Sequence, residues 1–246
     1  MDKASKERFF EVDALRGIAI LLMVIYHFFY DLDFLGIADF DMNCGLLLIV
    51  GRSAAILFIL LVGVSLTLSN SRSVLAPENS PGQFTHLLWR GAGIFSFGLV
   101  ITVVTATVLE KGTIYFGILH MIGISIILAY PFLKYRLVPL IAGIFILFAG
   151  FFMENVYVDF PWLLWIGIKP HGFYTLDYFP LVPWFGVVLL GVFTGNSLYP
   201  GYRRSFRICE CESNVLVRLL ESFGKKSLLI YLVHQPVIVG LLLVLM

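Results

Sequence analysis

Arg16 and His27 stand 11 residues apart inside one apolar run, ALRGIAILLMVIYHFFY, residues 14–30. At about 100° per residue that spacing closes to within roughly 20° of whole turns, so both side chains project from one face of a helix. Along the axis they are about 16 Å apart, roughly half the hydrocarbon core of a bilayer. Ile20, Met23 and Asp31 fall on the same stripe. A cation at one edge of a membrane helix, an imidazole deep inside it and a carboxylate one turn further are costly to place in lipid. Such a stripe faces partner helices or a cavity and marks a functional site. The cation suits phosphate groups of an activated donor. A buried neutral His is the usual general base towards a hydroxyl or amine. Asp31 is placed to hold that imidazole in its productive tautomer. The plainer reading of each residue is a topological anchor, an interhelical hydrogen bond or a wet loop residue.

The elements that must carry these groups are transmembrane helices. The chain of 246 residues is 59% hydrophobic and 13% charged, with a mean hydropathy of +0.93. That excludes an ordinary soluble domain, and the net charge of +1 gives no reason to expect a nucleic-acid partner. Apolar runs predict an all-α polytopic bundle of seven spans, at 14–30, 46–68, 88–109, 113–133, 137–153, 179–199 and 227–246, forming a single membrane-embedded domain. Asp13 sits where an N-cap belongs, before the first span. Residues 154–178 are aromatic and Pro-interrupted, with an apolar core too short to cross. They read as an outer interfacial or re-entrant segment anchored by Trp162, Trp165, Tyr174 and Tyr178.

Charge sets the orientation. With the N-terminus in the cytoplasm, only Arg52, Lys111 and Lys169 of the 17 Lys and Arg fall on the outer side. This is a strong positive-inside pattern, and it puts the C-terminus outside. Arg16, Arg90 and Lys225 or Lys226 then make an inner set of cations at the starts of odd-numbered spans. His27, Arg52 and His120 lie in the outer halves of theirs, bordered by Asp31, His171 and Asp177. His234 is about two turns into the last span, with Ser227, Tyr231 and Gln235 on its face. Cys209 and Cys211 have no nearby His and no metal-ligand spacing. Gly-Lys-Lys-Ser at 224–227 lacks the earlier Gly of a phosphate-binding loop, since position 219 is Leu.

DALRGIAILLMVIYHF, with its Arg-x10-His spacing, resembles the first-helix motif of the membrane acyltransferase-3 family. Together with GILHMIG at 117–123, DYFPLVPWFGVVLLGVFTG at 177–195 and FGKKSLLIYLVHQP at 223–236, it resembles the catalytic membrane domain of the heparan-α-glucosaminide N-acetyltransferase family and its short prokaryotic relatives. The resemblance implies transfer of an acyl group, typically acetyl from acetyl-CoA, to a sugar or similar acceptor across the membrane; the cysteine pattern gives no reason to expect a metal. It implies donor contact for Arg16 and acid/base catalysis for His27. The pattern departs at one point. The heparan enzyme carries Asn where this chain has His27, and its catalytic His lies beyond the helix, whereas residues 36–41 here contain none.

The expectation is therefore a multi-pass acyltransferase of the cell membrane. Arg16 and Arg90 bind acetyl-CoA or another acyl-CoA. His27, Asp31 and His120 are the catalytic candidates, and Arg52, Asp177 and His234 contact a sugar or glycan acceptor. A homodimer is compatible with this reading. The rival from another class is a transporter that uses the same polar stripe as a solute or proton path.

Overall fold

The computed structural model describes residues 8–42, 44–75, 82–208 and 214–245. Cys209 and Cys211 lie outside them. The described chain is almost wholly helical. Its helices are α1 (Phe10–Phe34), α2 (Gly45–Leu75), α3 (Gln83–Val108), α4 (Ile118–Leu128), α5 (Val138–Met153), α6 (Leu181–Leu198), α7 (Val215–Lys225) and α8 (Ser227–Leu245). Five of these, α1, α2, α3, α6 and α8, are long and apolar enough to cross a membrane. The all-α expectation holds at that level.

The fourth expected span differs from its helix. Residues 113–117 are not helical, α4 has 11 residues, and Tyr130–Phe132 form a 3-10 turn around Pro131. Eleven residues rise only about 16 Å. Pro131 lacks the N–H that a continuing helix would need. The fifth apolar run becomes α5, with 16 residues.

The chain forms two compact units, Met1–Leu61 with Arg207–Met246, and Val62–Phe206. α2 supplies its first half to one and its second half to the other. In the first unit α1 packs along α7 and against α8. The α1–α7 contact is backbone on backbone. A methyl group on Gly17 would collide with the Leu220 carbonyl oxygen, and one on Gly224 with that of Asp13. Small residues let helices approach this closely where lipid gives no hydrophobic drive to associate. α1 begins at Phe10, with Phe9 as its cap residue and no side-chain cap bond. Asp13 is thus inside the first turn rather than capping it. Its Oδ1 accepts from Arg16 Nη1 at 2.7 Å.

In the second unit α3 packs on α4, and α5 on α6. Gly91 and Gly123 face each other, so that a methyl on either would come within 2.8 Å of the other's carbonyl oxygen. The non-helical residues before α4 are paired on two sides. Thr105 Oγ1 accepts from the Ile114 amide at 3.1 Å, and Thr102 Oγ1 donates to the Ile114 carbonyl at 2.6 Å. On the other side Leu176 donates to the Gly112 carbonyl and Phe179 to that of Phe116. Thr175 Oγ1 donates to the Thr113 carbonyl. Irregular backbone in a membrane protein has to find such partners.

Within 154–178 the structure has two short parallel strands, β1 (Tyr157–Val158) and β2 (Lys169–Pro170), and a 3-10 turn at Pro161–Leu163. Trp162, Trp165 and Tyr174 are exposed. Tyr178 is instead partly buried, and its hydroxyl donates to the Leu164 carbonyl. Burial pushes that hydroxyl up to about 12.

Candidate active site

Two rungs join α1 to α8 inside the first unit. His27 and Asp31 are one helical turn apart on α1, and His234 and Gln235 are neighbours on α8. The imidazole centroids of His27 and His234 are 4.9 Å apart, with their planes tilted by 59°. Gln235 Nε2 donates to Asp31 Oδ1 at 2.6 Å. Asp31 is 1% exposed, which is rare for a carboxylate unless it is partnered or functional. Pro236 follows Gln235 inside α8, so the N–H that would close on the Leu232 carbonyl is missing at this level.

The rungs leave hydrogen-bonding capacity unspent. His27 Nδ1, His234 Nε2, Gln235 Oε1 and Asp31 Oδ2 are buried and have no hydrogen-bond partner among the described residues. An unmet polar atom in such a place costs about 1–3 kcal/mol, so a group of them suits a ligand better than a resting core. His234 Nδ1 lies 2.6 Å from the Tyr231 carbonyl oxygen. A carbonyl only accepts, so Nδ1 carries the proton and the neutral ring presents a bare lone pair at Nε2. Tyr26 and Tyr30 flank His27, with ring centroids 5.6 and 6.3 Å away, and Tyr231 flanks His234 at 5.5 Å.

Asp31 therefore bonds Gln235 rather than His27, and the structure draws Gln235 into the site through a partner 204 positions away. The one sequence signal for it is an amide inside an apolar span, beside His234. Arg16 lies near the other end of α1, held by Asp13. Arg52 is exposed on α2 and, among the described residues, makes no bond to either imidazole.

The other candidates belong to the second unit. Arg90 is exposed near the start of α3. His120 is 2% exposed, and both its nitrogens are occupied. Nδ1 accepts from the Gly117 amide at 3.2 Å, at the start of α4. Nε2 must then carry the proton, and it faces Thr102 Oγ1 at 3.3 Å. That hydroxyl gives its own proton to the Ile114 carbonyl. Asp177 Oδ2 accepts from the Ile118 amide at 3.1 Å. Together His120 and Asp177 meet two of the amides a helix start leaves open. Burial raises the Asp177 carboxyl to about 6, partly offset by the Ile118 amide. Among the described residues no group of His, Cys, Asp and Glu could hold a metal ion.

Long apolar helices that bring paired imidazoles and a buried carboxylate together define a membrane-embedded protein with acid/base groups at a polar site. Residues 8–236 match the model of the family described as heparan-alpha-glucosaminide N-acetyltransferase, catalytic, and the chain belongs to that family. The match takes in Arg16, His27, Asp31, His120, Asp177, His234 and Gln235. No curated protein and no solved structure matches the chain.

Proposed function

We propose that the protein is a multi-pass membrane acyltransferase that moves an acyl group, acetyl in the first instance, from cytoplasmic acyl-CoA to an acceptor on the extracytoplasmic side. The acceptor is a sugar or glycan hydroxyl or amine. One observation carries this reading: two imidazoles 4.9 Å apart on helices long enough to span, each with a buried nitrogen that no group among the described residues satisfies. Family membership makes acyl transfer the chemistry they would serve.

The donor is a substrate, and its charged end needs a cation. Arg16 fits that need, because its guanidinium is only partly buried and forks towards carboxylates and phosphates alike. Asp13 holds it in place until a phosphate competes for it. At the imidazoles the acceptor loses its proton as it attacks the thioester carbonyl.

The test is acceptor-dependent CoA release from acetyl-CoA by the purified protein, with amino sugars and glycans as acceptors, beside His27→Ala. Release by the wild type and its loss in the variant are expected. Release that is equal in both would remove His27 from the chemistry. The unspent polar atoms along α1 and α8 also suit a proton or solute path. Solute flux through reconstituted protein without any thioester would favour that rival.

A further inference from the structure

We propose that the α1–α8 cluster is the acceptor end of the reaction, and that His234 Nε2 is the base that takes the acceptor's proton. This rests on the acyl-transfer reading above and assigns the roles within it.

The Tyr231 carbonyl fixes one tautomer of His234 before any ligand arrives, with the proton on Nδ1 and the lone pair on the buried Nε2. A base held by an orienting group is the arrangement that activates nucleophiles generally. At His27, by contrast, Nδ1 has no hydrogen-bond partner among the described residues. Gln235 is oriented too. Its amide N–H is spent on Asp31 Oδ1, which leaves Oε1 bare, and Asp31 Oδ2 is bare beside it. Nε2, Oε1 and an ionised Oδ2 all accept and none donates.

The thioester group itself has no donor to offer these atoms, because its sulfur and carbonyl oxygen are acceptors, and the amide N–H groups of CoA lie further along the pantetheine arm. A molecule with two or more neighbouring O–H or N–H groups satisfies them together, and one of those groups becomes the nucleophile. Its oxygen or nitrogen bonds to the thioester carbonyl carbon while its proton passes to Nε2. The resulting imidazolium keeps its Nδ1–H on Tyr231. As the C–S bond breaks, sulfur leaves with the electron pair and takes that proton to become the free thiol, which returns His234 to its first tautomer.

Two substitutions separate the roles of the ring. His234→Asn places an amide N–H where Nδ1–H was and keeps the Tyr231 bond, but has no group at Nε2. His234→Gln places an oxygen near Nε2 that accepts a hydrogen bond and is no base. Both are compared with wild type as full chains in detergent, for kcat, for acceptor KM and for acetyl-CoA affinity by calorimetry. Each variant is expected to lose roughly 10²–10⁴-fold in kcat, with acetyl-CoA affinity unchanged, which also shows that the fold survives. Full activity in His234→Asn would reduce the ring to a structural Nδ1 contact. Full activity in His234→Gln would reduce it to a hydrogen-bond acceptor. Loss of acetyl-CoA binding in both would move the cluster to the donor end. Each of these three overturns the proposal. Failure of the wild type to turn over any acceptor sinks the acyl-transfer reading itself, and this inference with it.

Discussion

His120 and His234 are both histidines in apolar helices, yet their surroundings differ in kind. Every hydrogen-bonding position of His120 is used: the Gly117 amide reaches one nitrogen and Thr102 the other. His234 is half used, with Nδ1 on Tyr231 and Nε2 buried without a partner among the described residues. The first ring closes a circuit around a helix start, and the second holds one open. A buried histidine is thus no sign of chemistry in itself. Unspent valence in a place water does not easily satisfy is the sign, because the resting protein bears its cost.

The largest effect that tests this contrast is on turnover. Removing the ring at His27 or His234 should lower kcat by roughly 10²–10⁴-fold. His120→Gln should leave kcat within roughly tenfold of wild type, well short of that range. Its effect should appear in thermal unfolding, since the Gly117 amide loses its acceptor at Nδ1, at about 1–3 kcal/mol. A His120 variant that folds as well as wild type but does not turn over would erase the distinction between the two rings.

A smaller perturbation sharpens the same point without touching the ring. A methyl on Gly98 would lie 2.9 Å from His120 Nδ1. Gly98→Ala should push the imidazole off its two partners and destabilise by about 1–3 kcal/mol, as overpacking does. Differential scanning fluorimetry reads this directly, and kcat measured well below the transition should not move.

The same two histidines show what a single sequence can disclose. The stripe of Arg16, His27 and Asp31 is legible because helical periodicity is local. Asp31's bond to Gln235 is not, because periodicity says nothing about which face of which later helix comes opposite. His120 read as a site residue for a related reason: depth in the membrane was visible, but the Gly117 amide and Thr102 that use up its nitrogens depend on how α3 meets α4. Asp13 looked like a cap because it precedes the apolar run, whereas α1 starts three residues earlier, at Phe10, and gives Asp13 to Arg16 instead. Hydropathy also runs on through Pro131 to residue 133, whereas α4 ends at Leu128 and a 3-10 turn follows. Composition fixes the class of element, and backbone hydrogen bonding fixes its ends.

An effect on stability alone, and on its pH dependence, concerns Asp177, which stands with His120 at the start of α4. Burial raises its carboxyl to about 6, from an ordinary value of 3.8. The folded protein therefore binds this proton more tightly than the unfolded chain does. The resulting stability is complete below about 3.8 and is lost as pH rises to about 6. Through that window Asp177 should contribute a falling slope to stability, on the order of 2–3 kcal/mol in total. Asp177→Asn keeps an oxygen for the Ile118 amide and cannot ionise. Its thermal midpoint should equal or exceed that of wild type at pH 7, and the difference between the two should shrink towards pH 4. Asp177→Ala removes the acceptor as well and should be lower than Asp177→Asn at every pH, by about 1 kcal/mol. If Asp177→Asn lost turnover while keeping its midpoint, the start of α4 would be part of the chemistry, and the open and closed circuits would no longer divide between the two units.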